Sequence, residues 1–377
     1  MFTKIFGTAS GSYAEATNWQ PINVRSSQWA WTASGSGTNE YYLRTAGSAD
    51  PGFVAKPGDV HINGSSATEG TVGSLAAGQW GYGDNDTLGY STLYVRLSDG
   101  ADPDSKAFGH VKFFQIPQAG EHVRLAAESG SINAGLDQSA VAIGDFIVEE
   151  GYSGDIGTAA TAENPAEYLK IDPDRFEYNG QGIAYIDIGA AAISPSVLGT
   201  GNAGDGERGL YLLGSAIATL NVIGGSVGLA ARPGETSTAT TVRVMAGTAD
   251  VVLGNGCTIT NLHQYGGTVL VNCGVTTSLL YDGTLESREN GAMGTVTQHG
   301  GTYIYGSSGN ITTYNIQGGT LDQTRSGATR TISTLNLYRG SYKVMRNKEA
   351  VTHTAEAVQE SLTLTISATS GSGGFGI

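Results

Sequence analysis

Three acidic residues, Asp250, Glu286 and Asp322, have a spacing that could place catalytic carboxyl groups near one another. Each stands three residues after a glycine that recurs along the second half of the chain. If those glycines mark equivalent positions of stacked coils, the acids lie on alternate coils, roughly 9–10 Å apart for strands spaced about 4.8 Å. That separation would just suit the two carboxyl groups of an inverting glycosidase. The same alternation also avoids stacking like charges, and we take this simpler reading.

Other candidate chemistry is sparse. Asp84-Asn85-Asp86 lies in a Gly-rich loop and offers oxygen atoms of the kind that Ca²⁺ binds. The segment lacks the final Glu of a helix-loop-helix calcium loop, and the turn preference of Asn and Asp explains it equally well. No two histidines have zinc-ligand spacing, and the sequence lacks a Gly-x-Ser-x-Gly elbow and a phosphate loop. We therefore predict no catalytic residue, no metal, no cofactor and no enzymatic activity.

The elements that would position these acids come from a repeat. A glycine, usually paired with a second one, is followed by Thr or Ser at Gly225, Gly247, Gly267, Gly283, Gly301, Gly319 and Gly340. The spacings, 22, 20, 16, 18, 18 and 21 residues, indicate a solenoid whose turns tolerate insertions. Leucine-rich repeats would need a Leu and Asn scaffold that is absent. Helical repeats would need longer units with fewer glycines.

Aligning the repeats on this glycine produces columns of mostly apolar residues. Eight residues before it stand Ile217, Ala239, Ile259, Val275, Met293, Ile311 and Ile332. Five before it stand Leu220, Val242, Leu262, Ser278, Val296, Tyr314 and Leu335. Two after it stand Val227, Ala249, Val269, Leu285, Tyr303, Leu321 and Tyr342. Because side chains alternate along a strand, each coil is predicted to be a strand, a glycine corner, a second strand and a turn.

The predicted fold class is therefore all-β, a right-handed parallel β-helix over residues 116–345. All four tryptophans fall within the first 80 residues, which favours a separate antiparallel β module over residues 1–115 with strands near Tyr41, Val60 and Tyr94. Residues 346–377 hold one alternating strand and a Gly/Ser-rich tail. Part of this segment is predicted to cap the open edge of the last coil.

Two cysteines, Cys257 and Cys273, each lie ten residues before their corner glycine and are predicted to stack on neighbouring coils. Two cysteines do not make a disulfide framework, so free thiols are expected in a reducing cytoplasm. Small apolar ladder residues and a functional thiol pair both fit this position.

The formal net charge of −14 disfavours sequence-independent nucleic-acid binding. No apolar run is long enough to span a membrane. The first residues lack the pattern of a secretory signal, so we expect synthesis in a cytoplasm.

Two surface features could bind partners. The column two residues before the corner glycine holds Tyr265, Tyr281, His299 and Tyr338. It has the opposite parity to an apolar column and should point outward, as a subunit interface, a glycan-binding strip or a simple cover of the sheet. A basic end, without an acid between residues 325 and 348, could dock an acidic partner or be merely solvated; it comprises Arg325, Arg330, Arg339, Lys343, Arg346 and Lys348.

Two stretches, GSLAAGQWGYGDNDTLGYSTLYVRLSDG (73–100) and VEEGYSGDIG (148–157), resemble virion structural proteins of tailed bacteriophages that carry a β-helix. The resemblance implies a virion component made in a bacterial cytoplasm: a capsid decoration or cement protein, or a head or tail fibre. It also implies a homo-oligomer, most simply a trimer, bound to the major capsid protein or other virion proteins.

A capsid decoration protein is our first hypothesis. The alternative is a receptor-binding tail fibre or tailspike that binds or cleaves glycans, because β-helices also carry polysaccharide lyases and hydrolases. A bacterial surface adhesin is disfavoured by the missing export signal.

Overall fold

The computed structural model describes residues 3–7, 10–24, 29–45, 56–161, 164–201, 207–289, 291–323, 331–338, 340–345, 355–356 and 362–367. Almost all regular structure in these residues is β, and a parallel solenoid of about ten turns accompanies small antiparallel sheets. The predicted fold class is thus confirmed. The chain divides into two compact units, Met1–Leu136 and Asp137–Ile377. Within the described ranges, no helix is long and apolar enough to cross a membrane.

The described residues of unit 1 form twelve strands and two single-turn 3-10 helices. The helices are Ala16–Asn18 and Pro103–Ser105. The strands are β1 Thr3–Ile5, β2 Gly11–Ser12, β3 Ile22–Val24, β4 Trp29–Ala33, β5 Tyr41–Thr45, β6 Asp59–Ile62, β7 Ser65–Ser66, β8 Gln79–Gly83, β9 Thr92–Arg96, β10 Val111–Phe114, β11 His122–Leu125 and β12 Ile132–Ala134.

Two four-stranded antiparallel sheets, in the orders β3-β10-β6-β7 and β4-β5-β9-β8, make up most of unit 1. One apolar cluster combines side chains from both sheets, among them Trp31, Trp80 and Phe113. The unit extends past the boundary predicted at residue 115. It does so because β11 pairs in parallel with β1, and β12 with β2, so the first strands of the chain hold residues 122–134.

Unit 2 contains the solenoid strands. They are β13 Asp137–Val148, β14 Leu169–Tyr178, β15 Ala184–Asp187, β16 Ser196–Val197, β17 Leu210–Leu213, β18 Ile217–Val222, β19 Ser226–Leu229, β20 Ser237–Val244, β21 Asp250–Leu253, β22 Cys257–Gln264, β23 Thr268–Val271, β24 Gly274–Leu280, β25 Thr284–Ser287, β26 Met293–Gln298, β27 Thr302–Tyr305, β28 Ile311–Ile316, β29 Thr320–Asp322, β30 Ile332–Leu337, β31 Gly340–Met345, β32 Ala355–Glu356 and β33 Leu362–Ser367.

Each coil supplies one strand to each of two parallel ladders. Even-numbered strands from β16 to β32 pair in one ladder, and odd-numbered strands from β15 to β33 pair in the other. The alternating strand foreseen near Leu364 is β33, which pairs with β31 along its whole length and adds one more strand to the solenoid. The predicted Gly/Ser-rich tail, residues 370–377, lies outside the described residues.

The register confirms the predicted columns before the corner glycine. Ile217, Ala239, Ile259 and the rest of that column are successive pairing partners, as are Leu220, Val242 and Leu262 in the next one. The side chains of these columns are buried inside the solenoid. Equivalent apolar residues of successive coils stack on one another. Each coil thereby buries the apolar face that it would expose to water on its own.

One coil departs from the alignment, and the prediction for it was wrong. After Gly247, two additional residues precede the strand, so Val251 occupies the column that we assigned to Ala249. Ala249, whose carbonyl accepts from the Thr268 N–H, takes the position that Gly225 and Gly267 hold elsewhere. Asp250 consequently pairs with Ser226 and Thr268 and does not share a column with Glu286.

The corner needs glycine for two reasons, seen best at Gly283. Its φ is +89°, a left-handed conformation that L side chains rarely adopt. A Cβ there would also lie 2.3 Å from the carbonyl oxygen of Gly267 on the preceding coil. Gly301 and Gly319 stack on the same line with the same conflict. The recurring glycine is therefore required by the close approach of backbones between stacked corners.

Cys257 and Cys273 are both free and buried. They contact each other from neighbouring coils, as predicted: a hydrogen bond with Cys273, together with burial, raises the pKa of the Cys257 thiol far above its usual value. The Cys257 Sγ also donates to the Leu229 carbonyl at 3.0 Å. The Cys257 thiol therefore stays protonated at neutral pH, and a protonated thiol is a poor nucleophile.

Candidate functional site

The predicted aromatic column is exposed. Tyr265, Tyr281 and Tyr338 retain 41%, 40% and 49% of their accessible surface. Tyr265 and Tyr281 stack with ring centroids 4.9 Å apart and planes 2° from parallel. Tyr281 and His299 stack at 4.7 Å and 5°. The ring spacing equals the strand spacing of a β-sheet, so the backbone register by itself holds these rings face to face.

The column extends beyond the four residues predicted from the sequence. Each member donates its backbone N–H to the coil before, from Leu198 bonding to Tyr178 up to Tyr338 bonding to Ile316. We name the whole column the exposed ladder, and it comprises Leu198, Ile223, Met245, Tyr265, Tyr281, His299, Gln317 and Tyr338.

Among the described residues, seven large hydrophobic side chains are exposed, and six of them belong to the exposed ladder. The seventh, Phe108, lies in unit 1. Aligned exposed apolar side chains mark an interaction surface far more strongly than scattered ones do. Ile223 and Met245 also lie two residues before their repeat glycines, so the sequence spacing places them in the same column. The sequence prediction omitted them because it included only aromatic side chains in that column.

Local structure explains why these side chains protrude. The residue just before each ladder position except Tyr338, for example Val244 or Leu280, is buried inside the solenoid, and alternation along the strand turns the next one outward. The residue just after is mostly glycine. At Gly300 a Cβ would approach the Tyr281 carbonyl oxygen to 2.4 Å, so a larger side chain cannot replace glycine at that position.

The electrostatic character of the exposed ladder is close to neutral. It contains no Asp, Glu, Lys or Arg, although the whole chain carries a formal net charge of −14. Burying an uncharged apolar strip avoids the desolvation cost that charged groups would impose. The strip is therefore suited to contact another surface directly.

The basic end stays a prediction. Arg325, Arg330, Arg339, Arg346 and Lys348 lie outside the described residues. Lys343 is described by its backbone alone, which pairs with Asp322 and Thr365 in the odd-numbered ladder.

The structure brings together only part of the acidic column. Glu286 and Asp322 lie on alternate coils with Ile304 between them. The Glu286 carboxylate accepts a hydrogen bond from Arg288 Nε at 2.7 Å. Asp250 is elsewhere and forms an ion pair with Arg208. The three acids therefore do not line up as proposed from the sequence.

The Asp84-Asn85-Asp86 segment uses its carboxylates within the protein. Asp84 accepts from the N–H groups of Leu88 and Gly89 at 2.7 and 2.8 Å. Asp86 accepts from the Gly35 N–H at 2.7 Å and from the Ser34 hydroxyl at 2.8 Å. This is the turn chemistry of Asx residues. Among the residues that the structure describes, no three His, Cys, Asp or Glu side chains are grouped to hold a metal ion.

Comparison with known proteins identifies no relative: no protein-family model, no curated protein and no solved structure matches this chain.

Proposed function

We propose that this chain is a non-enzymatic structural protein of a virus particle, most simply a decoration protein on the capsid of a tailed phage. The observation that carries the proposal is the exposed ladder on a rigid solenoid. The resemblance of residues 73–100 and 148–157 to phage virion proteins supports the virion setting. A β-solenoid of about ten turns supplies a stiff body that can brace or project without a cofactor.

The occupant of the exposed ladder in this proposal is a second copy of the same chain. Eight positions, seven steps of about 4.8 Å, make a stripe roughly 34 Å long and one residue wide. A partner must be equally straight to cover it, and another solenoid of this kind is. Copies arranged around an axis parallel to the solenoid would place identical ladders against one another, which closed rotational symmetry allows. We propose three copies, with the ladders at the axis.

Docking on a capsid would then be multivalent. Each oligomer presents several identical contacts to a lattice of major capsid protein, so weak single contacts add to a high avidity.

A receptor-binding tail fibre is the second candidate, and the stacked rings of Tyr265, Tyr281 and His299 favour it. A row of stacked rings presents apolar edges and polar ring atoms, which can pack against a sugar and hydrogen-bond with its hydroxyls. In that case the ladder would be open in the assembled particle and would bind a host glycan.

Particle location tests the proposal directly. We expect antibodies against the chain to label the heads of purified particles in electron micrographs, spread over the whole shell. Label confined to the tail tips would replace decoration with the fibre alternative. Particles without any label would refute the virion assignment altogether.

Self-association has its own test. We expect the full chain to be an oligomer by multi-angle light scattering, and Tyr281→Asp to be monomeric at the same concentration. A charge at the centre of an apolar contact should cost at least about 2 kcal/mol per contact. Phe108→Asp is the matched control, since it removes an exposed aromatic side chain outside the ladder. A wild-type monomer, or equal dissociation of both variants, would contradict the ladder as the interface.

A further inference from the structure

A cleft in unit 2 is independent of the exposed ladder. Its volume is about 740 Å³, within the range of small-molecule sites. It is lined by the turn after β15, the turn after β17, the segment leading into β14 and the loop that follows β19. A second cleft of about 450 Å³ adjoins the other side of that loop. Together they run along the same edge of successive coils.

The loop between the clefts is held rigidly. Arg232, Pro233, Gly234 and Glu235 form a tight turn in which the Glu235 N–H donates to the Arg232 carbonyl at 3.3 Å. Gly234 has a φ of +83°, as the third residue of a type II turn requires. Glu235 in turn accepts from the Arg232 backbone N–H at 3.0 Å. Its position is therefore set before any ligand arrives.

Arg232 is anchored beneath this turn. Its guanidinium lies 5.0 Å from the ring centroid of Tyr185 and 4.5 Å from that of Tyr211. Those two rings stack at 4.9 Å and are buried. Arg232 Nη2 also donates to the Tyr185 hydroxyl at 2.9 Å and to Glu207 at 3.2 Å. Its Nε is buried and has no partner, so the guanidinium keeps unused hydrogen-bonding capacity beside the cleft.

Tyr168 completes the polar wall. Its hydroxyl donates to Glu235 Oε1 at 2.5 Å, and burial followed by this bond raises the pKa of Tyr168 far above its usual value. The phenol therefore stays protonated and donates its hydrogen bond to the Glu235 carboxylate. Two fixed acceptors, Asp187 and Glu235, and the hydroxyls of Ser215 and Thr236 face the same space.

One column of register-equivalent positions links the two clefts. Following the paired strands, the column after the odd-numbered ladder reads Asp187, Leu213, Ala230, Gly254 and Asn272. Its polar ends belong to the first and second cleft respectively. The Asn272 Oδ1 is buried without a partner. Asp187 and Asn272 are four coil steps apart, roughly 19 Å along the solenoid axis for a spacing of about 4.8 Å.

We propose that these two clefts form one binding site for a neutral oligosaccharide. An extended glycan offers hydroxyl pairs at regular intervals, which planar carboxylate, amide and guanidinium groups bind through paired hydrogen bonds. The charged lining residues are Asp187, Arg232, Glu235 and Glu289, an excess of acids that repels anionic sugars and phosphates. The site does not depend on the particle assignment and would serve a bacterial surface protein equally well.

Saturation-transfer NMR on the full chain tests the site, with neutral tetrasaccharides of α-linked glucose, β-linked glucose and β-linked N-acetylglucosamine as probes. We expect saturable binding of at least one of them and none of an oligogalacturonate of equal length. Glu235→Gln should weaken that binding about tenfold, since it removes a charged acceptor.

Glu177→Gln is the matched control, because Glu177 is also a partly exposed acid of unit 2 with an arginine partner, Arg175, but lines neither cleft. It should bind the probe like the wild type, and far-UV circular dichroism should show both variants folded. No saturable binding of any neutral probe, preference for the anionic one, or equal loss in both variants would overturn the proposal.

Discussion

Gly283→Ala is expected to destabilise unit 2 by about 2–5 kcal/mol, more than Gly234→Ala. Both glycines have a left-handed φ, +89° and +83°, so both substitutions carry the cost of about 1–2 kcal/mol for an L residue in that region. Only at Gly283 does the new Cβ meet backbone, 2.3 Å from the Gly267 oxygen, whereas nothing lies within 4 Å at Gly234. The difference isolates the close approach of stacked corners, because overpacking adds about 1–3 kcal/mol.

Guanidinium denaturation followed by far-UV circular dichroism measures this difference. All four tryptophans lie in unit 1, so tryptophan fluorescence serves as an internal control that should not change in either variant. Equal destabilisation by the two substitutions would mean that the conformation of the turn, and not the packing of one coil on the next, makes glycine necessary at the corner.

Lys4→Met is expected to destabilise unit 1 by about 3–5 kcal/mol, because it leaves a buried carboxylate without its cation. Lys4 Nζ lies 3.7 Å from Glu121 Oε1 and donates to Gln115 Oε1 at 3.2 Å. Both charged side chains are buried. Burial lowers the pKa of Lys4 and raises that of Glu121, and mutual attraction offsets each shift only in part.

The double variant Lys4→Met/Glu121→Leu is the control for that result. Replacing a buried pair by apolar residues is often neutral or stabilising, so we expect most of the lost stability to return. Tryptophan fluorescence during denaturation reports on unit 1 alone. A double variant as unstable as Lys4→Met would show that the hydrogen bonds with Gln115 and with the Gln118 N–H, and not the charges, hold this region.

The stability that Lys4→Met loses relative to the wild type should depend on pH in a definite direction. Without the attraction of Lys4, the pKa of Glu121 rises further above its value in the unfolded chain, about 4.3. A raised folded pKa gives stability that is complete below the unfolded pKa and is lost as pH rises through the folded one. The difference in unfolding free energy between wild type and Lys4→Met should therefore be small near pH 4 and increase toward neutral pH. Denaturation followed by tryptophan fluorescence measures this difference. A deficit independent of pH would contradict a charged Glu121.

The sequence by itself determined the repeating half of the fold. Glycines spaced by 16–22 residues and the apolar columns before them predicted the register in which Ile217 pairs with Ala239 and Leu220 with Val242. Prediction succeeded there because a parallel solenoid stacks each coil on the next, so contacts distant along the chain follow from one local period. The outward direction of Tyr265 and Tyr281 followed in the same way from strand alternation.

Other features were decided only by the tertiary structure. The two extra residues before Asp250 could not be recognised, because Ala249 takes a corner position without a glycine. The ion pair of Lys4 with Glu121 joins residues far apart outside the repeat. The clefts arise where the turn carrying Arg232 and Glu235 folds over Tyr168 and Tyr185 from earlier coils. A repeat dictates which residues stack, but the path of a loop that leaves it depends on which neighbours can satisfy its buried polar groups, and a local pattern does not contain that information.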